Sequence, residues 1–366
     1  MIEALTRWRD EEGETHAIAV ARIVLGLLLL QSALRAAEEL RAGYFGDVFH
    51  WPILPEALVP SAVVYGLVVG AQGVLALLVV LGLRARPALV ASAGLGTYVL
   101  LCDRVQFHHN RWAMACYALL LGFAPCDRVY GLDARRRRSS ASTRGPLWAA
   151  RLAQLQVSII YLGSGGSKLL DPDWRAGRVL ATRMALYGTN AVHAGIPAGF
   201  MAWLAEPAVS GALAKLAIGT ELGLSVALWP RGTRAFALWW AVWFHLTIEA
   251  TSRVEGFTWL TLAMLGLFAT PDAGARRIVL GPGASRALRR FVTVIARLDV
   301  LARFRVEPAS DGVTARASSA SLVVVDRAGR EHTRLGAVAM IARAVPVFFP
   351  LWVPLATLAR AARGRR

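Results

Sequence analysis

The chain has 366 residues, of which 56% are hydrophobic and only 18% are charged, and its mean hydropathy is +0.47. Average soluble proteins carry about 25% charged residues, so this composition excludes an ordinary soluble enzyme. The net charge of +17 does not indicate nucleic-acid binding, because the arginines cluster at the ends of apolar blocks and no nucleic-acid-binding motif accompanies them. The cysteines Cys102, Cys116 and Cys126 form neither a CxxC nor a metal-ligand pattern, so no metal site is expected.

Apolar blocks of about 17–25 residues, the length that crosses a hydrocarbon core, predict an all-α polytopic membrane bundle. Charged residues of both signs precede the first block, which is not the pattern of a cleavable signal peptide, so the first span is expected to remain as an anchor. We predict eight spans, at about residues 17–36, 61–83, 86–102, 111–126, 148–170, 207–229, 233–251 and 254–271.

The arginines in the connections predict the orientation. Connections after the second, fourth, sixth and eighth spans are basic, whereas the other connections mix acidic and basic residues. The positive-inside rule therefore predicts a multi-pass protein of the cell membrane (inner or plasma membrane) with both termini in the cytoplasm and the lipid bilayer as its partner.

One outward connection, residues 171–206, is long and not clearly a span. It contains several glycines and the aromatic side chains Trp174, Tyr187, His193 and Trp203. Amphipathic aromatic residues settle at the level of the lipid headgroups, so this composition favours an interfacial or re-entrant lid over a cavity.

The sequence changes character near residue 275, which divides a membrane domain (1–274) from a small α/β domain (275–366). In the second domain we expect helices at 288–301 and 335–344, strands at 302–306 and 321–326, and a turn at 326–329. The apolar run 346–358 is too short and too rich in proline to span a bilayer, so we expect it to lie on the membrane surface.

Ionisable side chains within spans are expensive, which makes each a candidate for function. They are Arg22, Lys168, Lys215, Glu221, His245 and Glu249. An internal ion pair or a snorkelling side chain is the open alternative for each. For Lys215, which precedes Glu221 by one and a half turns, structural charge pairing is the favoured interpretation.

Lys168 is unusual because 39 of the 41 basic residues are arginine, and only Lys168 and Lys215 are lysine. Arginine cannot lose its proton in a protein, whereas a desolvated lysine can act as a base. Lys168 also follows the small-residue run 163–167, which lets a ligand or a neighbouring helix approach closely.

Two groups of histidines add to this set. His245 lies in a tryptophan-rich span with Glu249 four residues later, so the carboxylate is expected to hold the imidazole in one tautomer; a buried structural hydrogen bond is the alternative. His108, His109 and Asn110 lie on the outward side at the start of the fourth span, near the predicted membrane level of Lys168.

The most specific motif covers 154–161, Gly163, 167–169, Asp173-Trp174 and Gly177. With Arg22, 44–46, Glu221 and Phe244-His245, it resembles the vitamin K-dependent gamma-carboxylase family, also described as the horizontally transferred transmembrane (HTTM) domain, over about residues 15–271. The resemblance implies conversion of peptide glutamate to gamma-carboxyglutamate with reduced vitamin K, oxygen and carbon dioxide. It implies reduced vitamin K or menaquinone as cofactor and an extracytoplasmic peptide as a further partner.

The resemblance also implies site residues. The base that deprotonates the hydroquinone falls on Lys168, and the Asn-His pair of the family falls near His109-Asn110 in reversed order, so either residue could take the histidine position. We assign Lys168, His109 and His245 as catalytic residues, Asn110, Tyr161, Trp174 and Glu249 as quinone-binding residues, and Arg22 and Glu221 as structural intramembrane charges.

Residues 275–366 resemble a DCC-type thiol-disulfide oxidoreductase domain of the thioredoxin class. The family opens with Asp-x-x-Cys-x-x-Cys, but Gly281, Ala284 and Ala287 stand at the corresponding positions here. Without a thiol there is no disulfide exchange, so this domain is expected to be inactive in redox chemistry.

The leading hypothesis is thus a quinone-dependent enzyme of the carboxylase or epoxidase type, with no metal and no nucleic-acid partner. The alternative is a non-catalytic membrane scaffold or a protein that binds a quinone or another lipid-like substrate; the Cys-less domain and the reversed His109-Asn110 pair favour it. A transporter would predict inverted repeats, and no such symmetry is visible.

Overall fold

The computed structural model describes residues 6, 10–44, 50–137, 142–193, 195–252, 254, 256–269, 276–281, 284–308 and 322–364. The chain forms two compact units, Met1–Ala269 and Thr270–Arg366. The first unit is helical and the second contains a four-stranded sheet.

Twelve described helices and one short two-stranded ribbon build the first unit. The helices are α1 (His16–Arg41), α2 (Ala62–Leu81), α3 (Ala85–Cys102), α4 (His109–Phe123), α5 (Leu132–Arg136), α6 (Trp148–Leu170), α7 (Pro172–Arg175), α8 (Arg178–His193), α9 (Ala198–Ala205), α10 (Pro207–Ala227), α11 (Arg231–Ser252) and α12 (Phe257–Gly266), with a 3-10 turn at Glu56–Leu58. The ribbon pairs β1 (Glu12–Glu14) with β2 (Arg144–Pro146) in antiparallel register.

A helix occupies each of the eight predicted spans, but among the residues that the structure describes four helices are long and apolar enough to cross a membrane. These four are α1, α2, α3 and α10. The helices α4 and α12 have 15 and 10 residues, and α6 and α11 are long but contain several charged and polar side chains. The first unit is therefore a membrane domain with four candidate spans.

Helix boundaries follow local sequence signals. Ser61 caps α2 by accepting a hydrogen bond from the N–H of Val64, and Gly82 ends that helix in the left-handed conformation. One apolar core then joins the long helices of the unit, with buried residues such as Leu25, Leu89 and Val157.

The predicted lid, residues 171–206, is helical in the structure. It forms α7, α8 and α9, and α8 packs against α9, α10 and α11. Met184, Met201 and Leu204 form a small core of their own there. Sequence periodicity gave no helix here because each element is too short to show an apolar block of spanning length.

The second unit is a mixed sheet with helices. Its strands are β3 (Arg276–Leu280), β4 (Phe304–Pro308), β5 (Leu322–Val325) and β6 (Glu331–Thr333), and its helices are α13 (Arg286–Leu298), α14 (Arg334–Ala344) and α15 (Trp352–Gly364). The strand order is β4-β3-β5-β6, with β3 parallel to β4 and antiparallel to β5, and β6 antiparallel to β5. Val292, Ile295, Ala337 and Ile341 of the helices pack on Ile278 and Val324 of the sheet.

The sequence predicted α13, β4, β5 and α14 near their observed places but not β3 or β6. Those two strands have five and three residues, and neither shows a regular alternation of polar and apolar side chains. The apolar run 346–358 forms a 3-10 turn (Pro346–Leu351) and the start of α15.

Candidate functional site

One face of α6 carries five of its polar side chains. Successive members are three or four residues apart, so they project from the same side of the helix. They are Gln154, Ser158, Tyr161, Ser164 and Lys168. Gln154 donates to the carbonyl of Leu267 at 2.7 Å, and Ser158 accepts from the indole of Trp229 at 2.9 Å.

Lys168 forms an ion pair at the end of this polar face. Its Nζ lies 2.6 Å from both carboxylate oxygens of Glu221 on α10 and donates to the hydroxyl of Ser164 at 2.6 Å. Ser164 also donates to Glu221 at 3.2 Å. The side chain of Lys168 is 17% exposed and that of Glu221 is 6% exposed, so the pair is largely desolvated yet still reachable from one side.

The turn after α6 places an aromatic ring over the ammonium group. Asp171 caps α7 by accepting from the N–H groups of Asp173 and Trp174, and Pro172 occupies the first position of that helix. The ring centre of Trp174 thereby lies 5.1 Å from Nζ of Lys168, which is a cation–π contact.

Two glycines permit the close approach of α10 to this site. A Cβ on Gly165 would lie 2.9 Å from Cγ of Leu222, so a side chain there would push α10 away from α6. Gly177 has a φ of +78°, and a Cβ there would lie 2.6 Å from Cα of Gly211 near the start of α10. Both conditions favour glycine for steric reasons.

A second polar pair lies two turns earlier on α6. The hydroxyl of Tyr161 and Nε2 of His245 on α11 are 2.7 Å apart. His245 is fully buried and Tyr161 is 3% exposed, while the rings of Phe244 and Phe257 meet the imidazole edge-on.

These two pairs form one site. Tyr161 and Lys168 are seven residues apart, about 10 Å along the helix axis. Glu221 lies within electrostatic range of Tyr161, and Lys168 lies within electrostatic range of His245. This face of α6 therefore combines the ammonium of Lys168, which lies beneath the ring of Trp174, with a carboxylate, two hydroxyls and an imidazole, which are groups that can hold and move a proton.

A family model for the HTTM domain matches residues 11–273. The chain belongs to the HTTM family. This membership makes it a membrane protein related to the carboxylase family. Searches of curated proteins and of solved structures each found no match.

The signature of this HTTM chain has a structural explanation. Within the motif, Gln154, Tyr161 and Lys168 bond α6 to neighbouring elements, and Trp174 lies over the ammonium of Lys168. Sequence reasoning missed the role of Ser164, although its spacing of three from Tyr161 and four from Lys168 was a readable signal.

Glu221 does not pair with Lys215 as expected. Its described partners are Lys168 and Ser164, and Lys215 is exposed. Six residues correspond to about 600° of helical rotation, which places the two side chains on different faces of α10.

The expected hydrogen bond between His245 and Glu249 is not formed either. Nε2 of the imidazole bonds to Tyr161, and in the described part of the chain neither Nδ1 of His245 nor Oε2 of Glu249 has a hydrogen-bond partner. The i to i+4 spacing placed both on one side of α11, but a tyrosine on another helix supplied the nearer partner.

His109 and Asn110 lie at the start of α4. The ring of His109 is exposed, stacks on His108 with 4.6 Å between centroids, and lies within electrostatic range of Arg183. Asn110 is 4% exposed and lines a crevice with Leu28 and Gly256. Asn110, not His109, is therefore the member of the pair that points into the bundle.

Arg22 donates hydrogen bonds to backbone carbonyls of the loop after α4. It is fully buried and donates to the carbonyls of Cys126 at 2.8 Å and Tyr130 at 2.6 Å. Gly82 and Gly131 pass so closely beside it that a Cβ on Gly82 would lie 2.6 Å from Cα of Gly131. Arg22 thus stabilises the loop after α4 by satisfying buried carbonyl groups.

Among the described residues no group of three or more His, Cys, Asp or Glu side chains could hold a metal ion. The ring of Trp174 provides a flat apolar surface next to the charged pair of Lys168 and Glu221.

Proposed function

We propose that this HTTM protein is an enzyme that acts on a reduced quinone, vitamin K or menaquinone, with Lys168 and Glu221 as its proton-transfer pair. The observation that carries the proposal is the partly exposed ion pair beneath Trp174. The relation of the HTTM domain to the carboxylase family supports the same class of chemistry.

The geometry constrains how Lys168 acts. Its ammonium donates to Glu221 and Ser164, and as an ammonium its nitrogen has no lone pair with which to accept a proton. Lys168 therefore becomes a base when it passes a proton to the carboxylate 2.6 Å away, and Ser164 orients both partners. When bound, a reduced quinone would supply the reaction with oxygen, and Trp174 is the residue we propose to contact its ring.

The other residues act through position. The Tyr161–His245 hydrogen bond fixes α11 against α6 directly below the ion pair. Glu249 and Asn110 remain candidate quinone contacts, and a peptide on the extracytoplasmic side remains a candidate second substrate.

The experiment is oxygen-dependent epoxidation of reduced menaquinone by the purified protein. Lys168→Ala is compared with Lys168→Arg, which keeps the charge but cannot release its proton, and with Lys215→Ala, which removes the other, exposed lysine. We expect both Lys168 variants to lose about 100-fold or more in turnover and Lys215→Ala to keep it, since acid–base groups contribute about that factor.

Quinone binding measured on the same samples separates the outcomes. Turnover retained by Lys168→Ala would remove the proposed base. Binding without turnover in every sample would favour a second function, a non-catalytic quinone- or lipid-binding protein. That alternative is supported by the polar face of α6, where each side chain already has a protein partner.

We also propose eight membrane spans in a cell membrane with both termini cytoplasmic. Helices at all eight predicted places and the basic connections that follow every second span support this topology.

For the second unit we propose a thioredoxin-like domain without redox activity. The strand order and directions, with α13 between the parallel strands β3 and β4, support this proposal. Gly281, Ala284 and Ala287 lie between the end of β3 and the first turn of α13, where the cysteines of a DCC-type domain would be expected.

A further inference from the structure

A cavity of about 40 Å³ lies between α1, α2, α3 and α4, away from the Lys168 site. Most of its wall is formed by small or apolar side chains, such as Ala33, Gly96 and Ala115. Four polar side chains also line it: Ser32, Arg111, Gln72, which is 8% exposed, and Ser92, which is fully buried.

The hydrogen bonding of Gln72 and Ser92 is incomplete. Nε2 of Gln72 donates to the backbone carbonyl of Ser92 at 3.3 Å. In the described residues, Oε1 of Gln72 and Oγ of Ser92 have no hydrogen-bond partner. Leaving such an atom unsatisfied costs about 1–3 kcal/mol, and native proteins pair nearly all buried polar groups with protein or water.

The volume of the cavity decides what can pair with them. One buried water requires about 10–15 Å³ of such cavity volume, so about three waters fit in this cavity. An apolar occupant would leave both oxygen atoms unsatisfied. A cation is disfavoured because the guanidinium of Arg111 also lines the cavity.

A second, smaller crevice of about 10 Å³ lies beside this cavity, towards the end of the bundle. The two share Ser32, Arg111 and Met114, and the crevice continues to His108 and Asn110. Gln72 and Ser92 each lie ten residues from the nearest helix end on that side, Ala62 of α2 and Cys102 of α3, which is about 15 Å of helix.

We propose that this cavity is a water-filled half-channel that opens at the His108–Asn110 end and stops at Gln72 and Ser92. The half-channel accepts water, and also uncharged solutes of about the size of water that carry a hydroxyl group. It brings water to the middle of a membrane bundle, where polar groups mark hydrated pathways. This inference does not depend on quinone chemistry at Lys168.

The test uses hydroxyl radicals generated by X-ray radiolysis on the full chain in lipid nanodiscs, because internal water produces radicals beside the side chains that it touches. Met114 lines the cavity, whereas Met184 has a similar exposure of 6% in a separate apolar cluster and Met264 is fully buried in the main core. We expect Met114 to be oxidised several times faster than both controls.

Two variants test the source of that signal. Gln72→Leu and Ser92→Val each remove one polar group, and we expect the oxidation rate of Met114 to fall to that of Met184 while the control methionines are unchanged. Oxidation of wild-type Met114 at the rate of Met184 would show a dry cavity and overturn the proposal. If Met114 is still oxidised rapidly in both variants, the oxidation comes from bulk solvent rather than from internal water. That result would also overturn the proposal.

Discussion

Lys168 lies in an ion pair in a desolvated environment, and this environment sets its role. Two hydrogen bonds to Glu221 and one to Ser164 occupy its three donors. Desolvation is expensive for each ion separately and is offset only while both are present. Removing one member alone is therefore destabilising, whether or not the pair takes part in catalysis.

We predict that Glu221→Leu lowers the free energy of unfolding by about 3 kcal/mol, because it leaves the ammonium of Lys168 buried without its counter-ion. The double variant Lys168→Met, Glu221→Leu should recover most of this loss, since no unpaired charge remains. Thermal unfolding in detergent measures both. Equal destabilisation of the single and double variants would contradict the ion-pair argument.

Asp326 gives the second prediction at this scale. Burial alone would raise its pKa, but hydrogen bonds from His332, Arg330 and Ala328 outweigh burial and lower the pKa of Asp326 to about 2. An unfolded aspartate titrates near 4, so the unfolded state binds more protons as the pH falls below about 4. The stabilisation from Asp326 is present above that pH and is lost as the pH falls towards 2.

We therefore expect the protection of β5 and β6 amides from hydrogen exchange, corrected for intrinsic rates, to fall between about pH 4 and pH 2. Mass spectrometry on the full chain measures it. Asp326→Asn, which cannot titrate, is the control and should show lower protection with little pH dependence over the same range. If the wild type and the Asp326→Asn variant lose the same amount of amide protection over this pH range, other carboxyl groups cause the loss.

At the scale of elements, α6 organises the site because its polar face bonds to α10, α11 and the segments after α10 and α12. The positions of the long helices follow from their apolar blocks, and the predicted ends agree with the observed ends to within a few residues for most of them. The short helices α7 to α9 were not predicted, because they are held by tertiary packing rather than by a long apolar run.

The third prediction concerns Gly177, which lies in the turn before α8 where the chain passes close to α10. Gly177→Ala should be strongly destabilising, since its Cβ would meet the backbone of Gly211 and its φ is +78°. Gly195→Ala is the matched control, because Gly195 has a φ of +90° and nothing within 4 Å of a Cβ. Gly195→Ala should lower the free energy of unfolding only by the cost of holding an alanine in the left-handed backbone conformation, about 1–2 kcal/mol.

The unfolding temperatures of the two variants isolate the close approach from the backbone conformation. A clearly lower value for Gly177→Ala than for Gly195→Ala is the expected result. Equal values would mean that α10 can move aside without loss, and the glycine would then be explained by its backbone conformation alone.

At the scale of the whole molecule, the arginines predict that both termini are cytoplasmic. A GFP fused after Arg366 should then fluoresce, because GFP matures in the cytoplasm, and alkaline phosphatase at the same place should be inactive. Fusions made within the connection after α9, at Glu206, should give the opposite pair of results. Active phosphatase at the C-terminus would contradict the proposed topology.

The sequence by itself determined the class of this protein, the places of its long helices and its family. These follow from composition, from apolar run length and from a motif, all of which are local properties of a chain.

Only the tertiary structure decided which polar groups meet. Glu221 pairs with Lys168 rather than Lys215, His245 bonds to Tyr161 rather than Glu249, and Asn110 rather than His109 points inward. Spacing along one helix determines the face on which a side chain lies, but the partner across the interface depends on how helices distant in sequence pack together. The cavity at Gln72 and Ser92 was likewise visible only in the tertiary structure, because its walls come from four different helices.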